Sequence, residues 1–151
     1  MAKYNFDKDL VLSKSSVEKV RKYLESVGAT EIRENDDAKY DIFCRIDGKR
    51  MTIEIKEDML YHVTGNIAIE YESRNKISGV RSSVANIWCY VLDKGIGYDG
   101  IYFVRLSKLK RFLKENNIPE CSGGDNLTSK LYLMPLTTFV RVFEKKVLEF
   151  R

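Results

Sequence analysis

The dipeptide Asp47-Gly48 lies between two runs of alternating character, Tyr40–Ile46 and Lys49–Glu57. Asp-Gly tolerates positive φ at both positions, and a two-residue turn of that kind closes a β-hairpin. With Asp47 and Gly48 as the central turn residues, the register follows. Ile46 faces Lys49, Arg45 faces Arg50, Cys44 faces Met51, Phe43 faces Thr52 and Ile42 faces Ile53. Ile42, Cys44, Ile46, Met51, Ile53 and Ile55 then share one apolar face, suited to a core. The other face carries Asp41 directly across from Glu54, with Lys56 two residues beyond.

Two carboxylates opposite each other on paired strands repel. A divalent cation relieves that repulsion, because Mg²⁺ takes one or two carboxylates together with waters and phosphate oxygens. Lys56 adds a positive charge that can stabilise a developing phosphorane or orient an attacking water. A solvent-exposed Asp/Glu/Lys cluster is the competing reading. Asn66–Glu72 also alternates as a strand, with Ile67, Ile69 and Tyr71 on one side and Ala68, Glu70 and Glu72 on the other. Paired with 51–56, it brings Glu70 or Glu72 to the same surface, to bind a second metal or position a water. A polar outer face is the alternative for each.

Along the rest of the chain, Ser15 and Glu18 fit a capping box opening a helix through Val17, Val20, Leu24 and Val27, with Gly28 as its stop. Ala29–Arg33 reads as a short strand. Ile77–Ala85 reads as a Ser- and Gly-bearing loop or short helix, and Ile87–Leu92 and Ile101–Arg105 as strands. Ser107–Asn116 reads as a helix, Cys121–Leu127 as a loop and Leu131–Met134 as a short strand. A terminal helix is expected over Thr137–Phe150. Helices and strands intermix, so the class is α/β.

The 151 residues, 44% hydrophobic and 32% charged, suit one domain with a single core. No apolar run is long enough for a membrane span, and MAKYNFDKDL has no signal core, so a cytoplasmic protein with no membrane partner is expected. Three cysteines without CxxC spacing argue against a disulfide framework or a zinc site. His62 is the only histidine, which disfavours His-rich metal clusters and Ser-His-Asp chemistry. The net charge is +4, and its distribution is uneven. Ser73–Leu92 has only Arg74, Lys76 and Arg81 as charges, and Arg105–Lys114 has five basic residues and no acid. Such local basic surface suits a phosphate backbone, with a solvated helix face as the alternative for the second run.

Asp41, twelve intervening residues, then Glu54-Ile55-Lys56 resembles the signature of the PD-(D/E)XK nuclease superfamily, with Tyr40-Asp41 where the family name has Pro-Asp. SSVEKVRKYLESVGA is similar to the first helix of archaeal-type Holliday-junction resolvases, and Glu18 matches their early metal-site glutamate; the capping role is its rival. NIAIEYESRNKISGVRSSVANIWCYVL is similar to small phage-encoded endonucleases of the superfamily. The resemblance covers roughly Ser15 to Lys114. It implies a restriction-endonuclease-like α-β-β-β-α-β core, with a central mixed sheet flanked by helices, in a single domain 1–151 carrying a C-terminal extension from about 127.

The activity implied is Mg²⁺-dependent hydrolysis of DNA phosphodiester bonds, with Mn²⁺ as a substitute, no small-molecule cofactor, a phage source and a homodimer. Asp41, Glu54 and the Ile55 carbonyl would hold the metal, and Lys56 would activate the water; Glu18, Glu70 and Glu72 are secondary acids. Arg74, Lys76 and Arg81 are placed to neutralise phosphates, Ser78, Ser82 and Ser83 to donate hydroxyls, and Gly79 to allow close backbone approach. Such contacts position a backbone without reading bases, which suits branched or junction DNA. Trp88 and Tyr90 are expected in the core. A nucleic-acid-binding module without catalysis, or a protein that binds and inhibits another protein, are the other functions these features allow.

Overall fold

The computed structural model describes residues 6–35 and 39–146. The chain opens with helix α1, Phe6–Ser26, followed by strands β1 (Thr30–Glu34), β2 (Ile42–Ile46) and β3 (Lys49–Lys56). A one-turn helix α2 (Tyr61–Thr64), strands β4 (Asn66–Ser73) and β5 (Lys76–Ile77) and a second one-turn helix α3 (Gly79–Ser82) come next. Then follow β6 (Ile87–Leu92), β7 (Gly100–Arg105), helix α4 (Leu106–Glu115), β8 (Glu120–Gly123), β9 (Ser129–Pro135), helix α5 (Leu136–Val142) and β10 (Glu144–Lys146).

The class is mixed α/β. The central sheet has six strands in the order β1-β2-β3-β6-β7-β10, and only the β3–β6 pair is parallel. The expected α-β-β-β-α-β order is present as α1-β1-β2-β3-α3-β6. Between β3 and β6 the chain leaves the sheet to build part of a second, four-stranded antiparallel sheet, β5-β4-β9-β8. No helix among the described residues is long and apolar enough to cross a membrane.

The hairpin has the register that its turn dictates. Asp47 and Gly48 take φ of 51° and 75°, and Ile42 pairs with Ile53, Cys44 with Met51 and Ile46 with Lys49. One face of the six-stranded sheet packs on α1: Ser16, Val20 and Leu24, one turn apart, are buried over Ile42, Cys44, Ile53, Cys89, Val91 and Ile101. The opposite face presents Trp88, Tyr90, Leu92, Tyr102 and Val104 to the second sheet and to α3, α4 and α5. Tyr90 and Tyr102 both meet Phe139, whose ring stacks 4.4 Å from Phe143. The Tyr90 hydroxyl donates to the Ala68 carbonyl across the two sheets (3.0 Å). Trp88 and Tyr90 are thus core residues, 1% and 2% exposed.

Several sequence expectations need correction. The first helix begins at Phe6, so Ser15 and Glu18 sit in its interior and form no capping box. No Gly or Pro interrupts 6–14, so nothing stops the helix from running through both serines. Strand β4 pairs with β5 and β9 and not with β3, whose second neighbour is β6. Cys121–Leu127 is the edge strand β8 and a short 3-10 turn instead of a loop. The expected terminal helix ends at Val142, because Phe143 turns into the aromatic core and Glu144–Lys146 pairs with the edge of β7. The remainder of that expected helix lies outside the described residues.

Candidate active site

Asp41 stands just before β2, where the strand ladder with β3 ends. Its backbone N–H donates to the Ile53 carbonyl (2.9 Å), and its Oδ2 accepts from the Ile55 N–H (2.7 Å). The carboxylate therefore supplies one more rung of the ladder, a structural task that leaves Oδ1 for other partners. Glu54 and Lys56 point to the same face of β3. Lys56 Nζ lies 3.3 Å from Glu54 Oε1 and sits over the Trp88 ring, 5.4 Å from its centroid. Parallel pairing of Glu54 with Trp88 and Lys56 with Tyr90 fixes that arrangement. Thr52, next along the face, is committed elsewhere: its N–H and hydroxyl both bond Asn86 Oδ1 at 2.9 Å, which locks the start of β6 beside β3.

Glu54 and Lys56 form one wall of a cleft of about 310 Å³, with Trp88 beside them, Gly79, Ser82, Ser83 and Val84 on the other side, and Lys39 also lining it. Burial pushes the Glu54 carboxyl above the usual glutamate range; Lys56 opposes this and the charge of Asp41 adds to it. A carboxyl that ionises less readily when folded lowers stability once ionised. The contribution of this group to stability is greatest below the ordinary value of 4.5 and is lost as pH rises through the raised folded value. Glu54→Gln is therefore expected to melt higher than wild type at pH 7, with the gap closing as pH is lowered. Paired thermal melts across pH check this, and a gap that is constant with pH would exclude the burial cost.

The structure divides the predicted nucleic-acid contacts. Ser82 and Ser83 do line the cleft. Ser83 Oγ accepts from Trp88 Nε1 (3.1 Å) and from the Ala85 N–H (3.3 Å), so its own O–H remains a donor. Ser78 instead donates to Glu70 Oε2 (3.1 Å). Arg81 turns to the other side of α3, where it bonds the Tyr132 hydroxyl (3.2 Å), stacks over Tyr71 and lines a groove with Lys110 and Lys114. Arg74 and Lys76 are exposed at the β4–β5 turn and are not among the residues lining the cleft.

The secondary acids are not brought together. Glu18 is exposed on α1, whose buried stripe packs on the sheet face opposite to Glu54. Glu70 is held by Ser78, and Glu72 pairs with Lys130 at 2.9 Å. No three His, Cys, Asp or Glu side chains among the described residues converge as a metal-binding group. The acids at this end of the hairpin are Asp41 and Glu54, with the Ile55 N–H held by Asp41. Gly79 lines the cleft, and a Cβ there would lie 2.1 Å from the Glu70 carbonyl oxygen, so its smallness serves the approach of α3 to β4. Lys39 was missed by sequence reasoning. It lies in a turn before β2, where no strand alternation marks which side it takes.

No family model matches the chain, and no curated protein does. Among solved structures it is similar to D212, a nuclease from a fusselovirus, with 14% sequence identity and a TM-score of 0.48 over 96% of this chain and 90% of that one.

Proposed function

We propose that the chain is a Mg²⁺-dependent DNA endonuclease of the PD-(D/E)XK type. The observation that supports this best is the hairpin, which holds Asp41 one residue past its ladder, on the Ile55 N–H beside Glu54, while Glu54 and Lys56 line one cleft. Two carboxylates are a sufficient side-chain set for Mg²⁺, which keeps several waters and takes phosphate oxygens. Asp41 Oδ1, the Glu54 carboxylate and the Ile55 carbonyl are the atoms proposed to hold it; Glu18 and Glu70 are left out of the set. When bound, the ion supplies Lewis acidity at the phosphate and lowers the pKa of a coordinated water.

The residues of the chain do the positioning. Lys56, steadied by Glu54 and the Trp88 ring, donates to a non-bridging phosphate oxygen and offsets the charge that builds there. The free O–H of Ser83 and the ammonium of Lys39 hold the flanking backbone. None of these groups reads a base edge, which supports a substrate recognised by its shape, such as branched or junction DNA, handled by a homodimer.

The test is cleavage of junction, nicked, single-stranded and duplex DNA by the purified protein, with Mg²⁺ or with EDTA. Cleavage with Mg²⁺ that EDTA abolishes is expected, strongest on branched DNA. Binding without cleavage of any of these substrates, with Mg²⁺ or Mn²⁺, would overturn the reading in favour of a non-catalytic binding module.

A further inference from the structure

The site face of the central sheet does not end at Asp41 and Glu54. Going back toward the turn, Phe43 follows Asp41 and Arg45 follows Phe43 on β2, while Thr52 and Arg50 precede Glu54 on β3. Arg33 on β1 pairs with Phe43, and Arg45 pairs directly with Arg50. The second core draws on β4, β6, β7, β9 and the helices, and none of its residues comes from β1, β2 or β3. Yet Phe43 is only 4% exposed. Its cover includes arginines: the guanidinium carbons of Arg33, Arg50 and Arg45 lie 4.6, 5.5 and 6.0 Å from the ring centroid.

Three cations around one ring is a costly way to cover a phenyl group. Cation–π attraction and stem packing favour each arginine. Like charges set opposite on paired strands disfavour them together. Only Arg45 has an acidic partner among the described ion pairs, Glu31 at 2.6 Å, which the irregularity between Thr30 and Arg33 accompanies. Arg33 and Arg50 are exposed and stand in none of those pairs. Both lie close to the Phe43 ring and keep exposed surface, and a guanidinium is a planar fork of donors that suits phosphate.

We infer that Arg33, Arg45 and Arg50, mounted on Phe43, form a phosphate clamp that holds the DNA strand beyond the cleft. This rests on the nuclease reading for where the strand begins. Arg50 and Glu54 are four residues apart on β3, about 13 Å at 3.3 Å per residue. One strand of DNA advances about 3.4 Å per nucleotide. A strand with its scissile phosphate at Glu54 thus lays the backbone about four nucleotides away over the arginines. The clamp fixes how far from a branch or an end the cut falls.

The test is binding of labelled duplex and single-stranded DNA by the full chain, in EDTA so that no cleavage intervenes, across a salt series. R33Q/R50Q is expected to weaken binding at low salt about tenfold or more and to reduce the log–log salt slope on duplex by about 1.8, at about 0.9 for each phosphate no longer neutralised. R33K/R50K is expected to keep most of the slope. Thermal melts check folding; if the double Gln variant does not fold, R50Q alone is expected to reduce the slope by about 0.9. Unchanged affinity and slope in the Gln variants would overturn the clamp, as would absence of DNA binding by wild type. Loss of binding in R33Q/R50Q by a wild type that cuts no substrate with Mg²⁺ would support the clamp and sink the nuclease reading instead.

Discussion

Asp41→Asn and Glu54→Gln are each expected to lower Mg²⁺-dependent DNA cleavage about 10³-fold while leaving DNA binding in EDTA near the wild-type level. A metal that polarises a phosphoryl oxygen contributes several kcal/mol to the transition state, and each 1.36 kcal/mol is a factor of ten. The two substitutions reach that loss by different routes. The Glu54 side chain is held by its ion pair with Lys56, so its amide removes a charge from the cleft wall with little change to the strand. Asp41 also accepts the Ile55 N–H. An asparagine oxygen can still take that bond, whereas Asp41→Ala leaves the donor without it and costs about 1–3 kcal/mol of stability in addition. The measurement is single-turnover cleavage beside thermal melts of all three variants. Cleavage at wild-type rate in both Asp41→Asn and Glu54→Gln would remove the carboxylate pair from the mechanism.

Gly79→Ala is expected to destabilise the fold by about 2–4 kcal/mol, from overpacking of roughly 1–3 kcal/mol with about 1 kcal/mol more for a side chain in the left-handed region. At 2.1 Å from the Glu70 carbonyl oxygen, the new Cβ meets backbone that has no rotamer to change. Relief requires α3 to move away from β4, which carries Ser82 and Ser83 out of line with Lys56. Cleavage should fall together with stability. Gly48→Ala is the control. Its φ is +75°, so it bears the same conformational cost, but nothing lies within 4 Å of its Cβ. Urea titration of both variants separates the two terms; equal loss at the two positions would show that the approach to Glu70 is harmless.

The hairpin and its register were legible in the sequence because their information is local. Asp47-Gly48 specifies the turn, the turn specifies the register from Ile46–Lys49 to Ile42–Ile53, and Asp41 follows one residue past it, held by the Ile55 N–H. The partner of β4 was not legible. Alternation in Ile67, Ile69 and Tyr71 states that one face is buried, and that is equally satisfied in either sheet. The start of α1 was misread for a related reason. Ser-x-x-Glu caps a helix only when the chain before it is extended, and the residues before Ser15 are themselves helical. Arg81 was grouped with Ser82 by sequence adjacency, but on a one-turn helix neighbouring side chains point to different sides, so the two serve different grooves. The arginines on Phe43 were visible as an Arg45–Arg50 pair, yet their burial of the ring depends on β1, whose irregular pairing is not written in any short motif.

The parallel pairing of β3 with β6 has a further consequence. The two strands are neighbours in space, so the thirty residues that separate Lys56 from Ile87 form an excursion that leaves the central sheet and comes back to it. Asp41, Glu54 and Lys56 precede that excursion, while Gly79, Ser82, Ser83 and Val84 belong to it. The two sides of the cleft are thus carried on separable segments of the chain. On the proposed nuclease reading, exchanging the excursion between chains that share the hairpin is expected to change which DNA is accepted while leaving Glu54 and Lys56 in place.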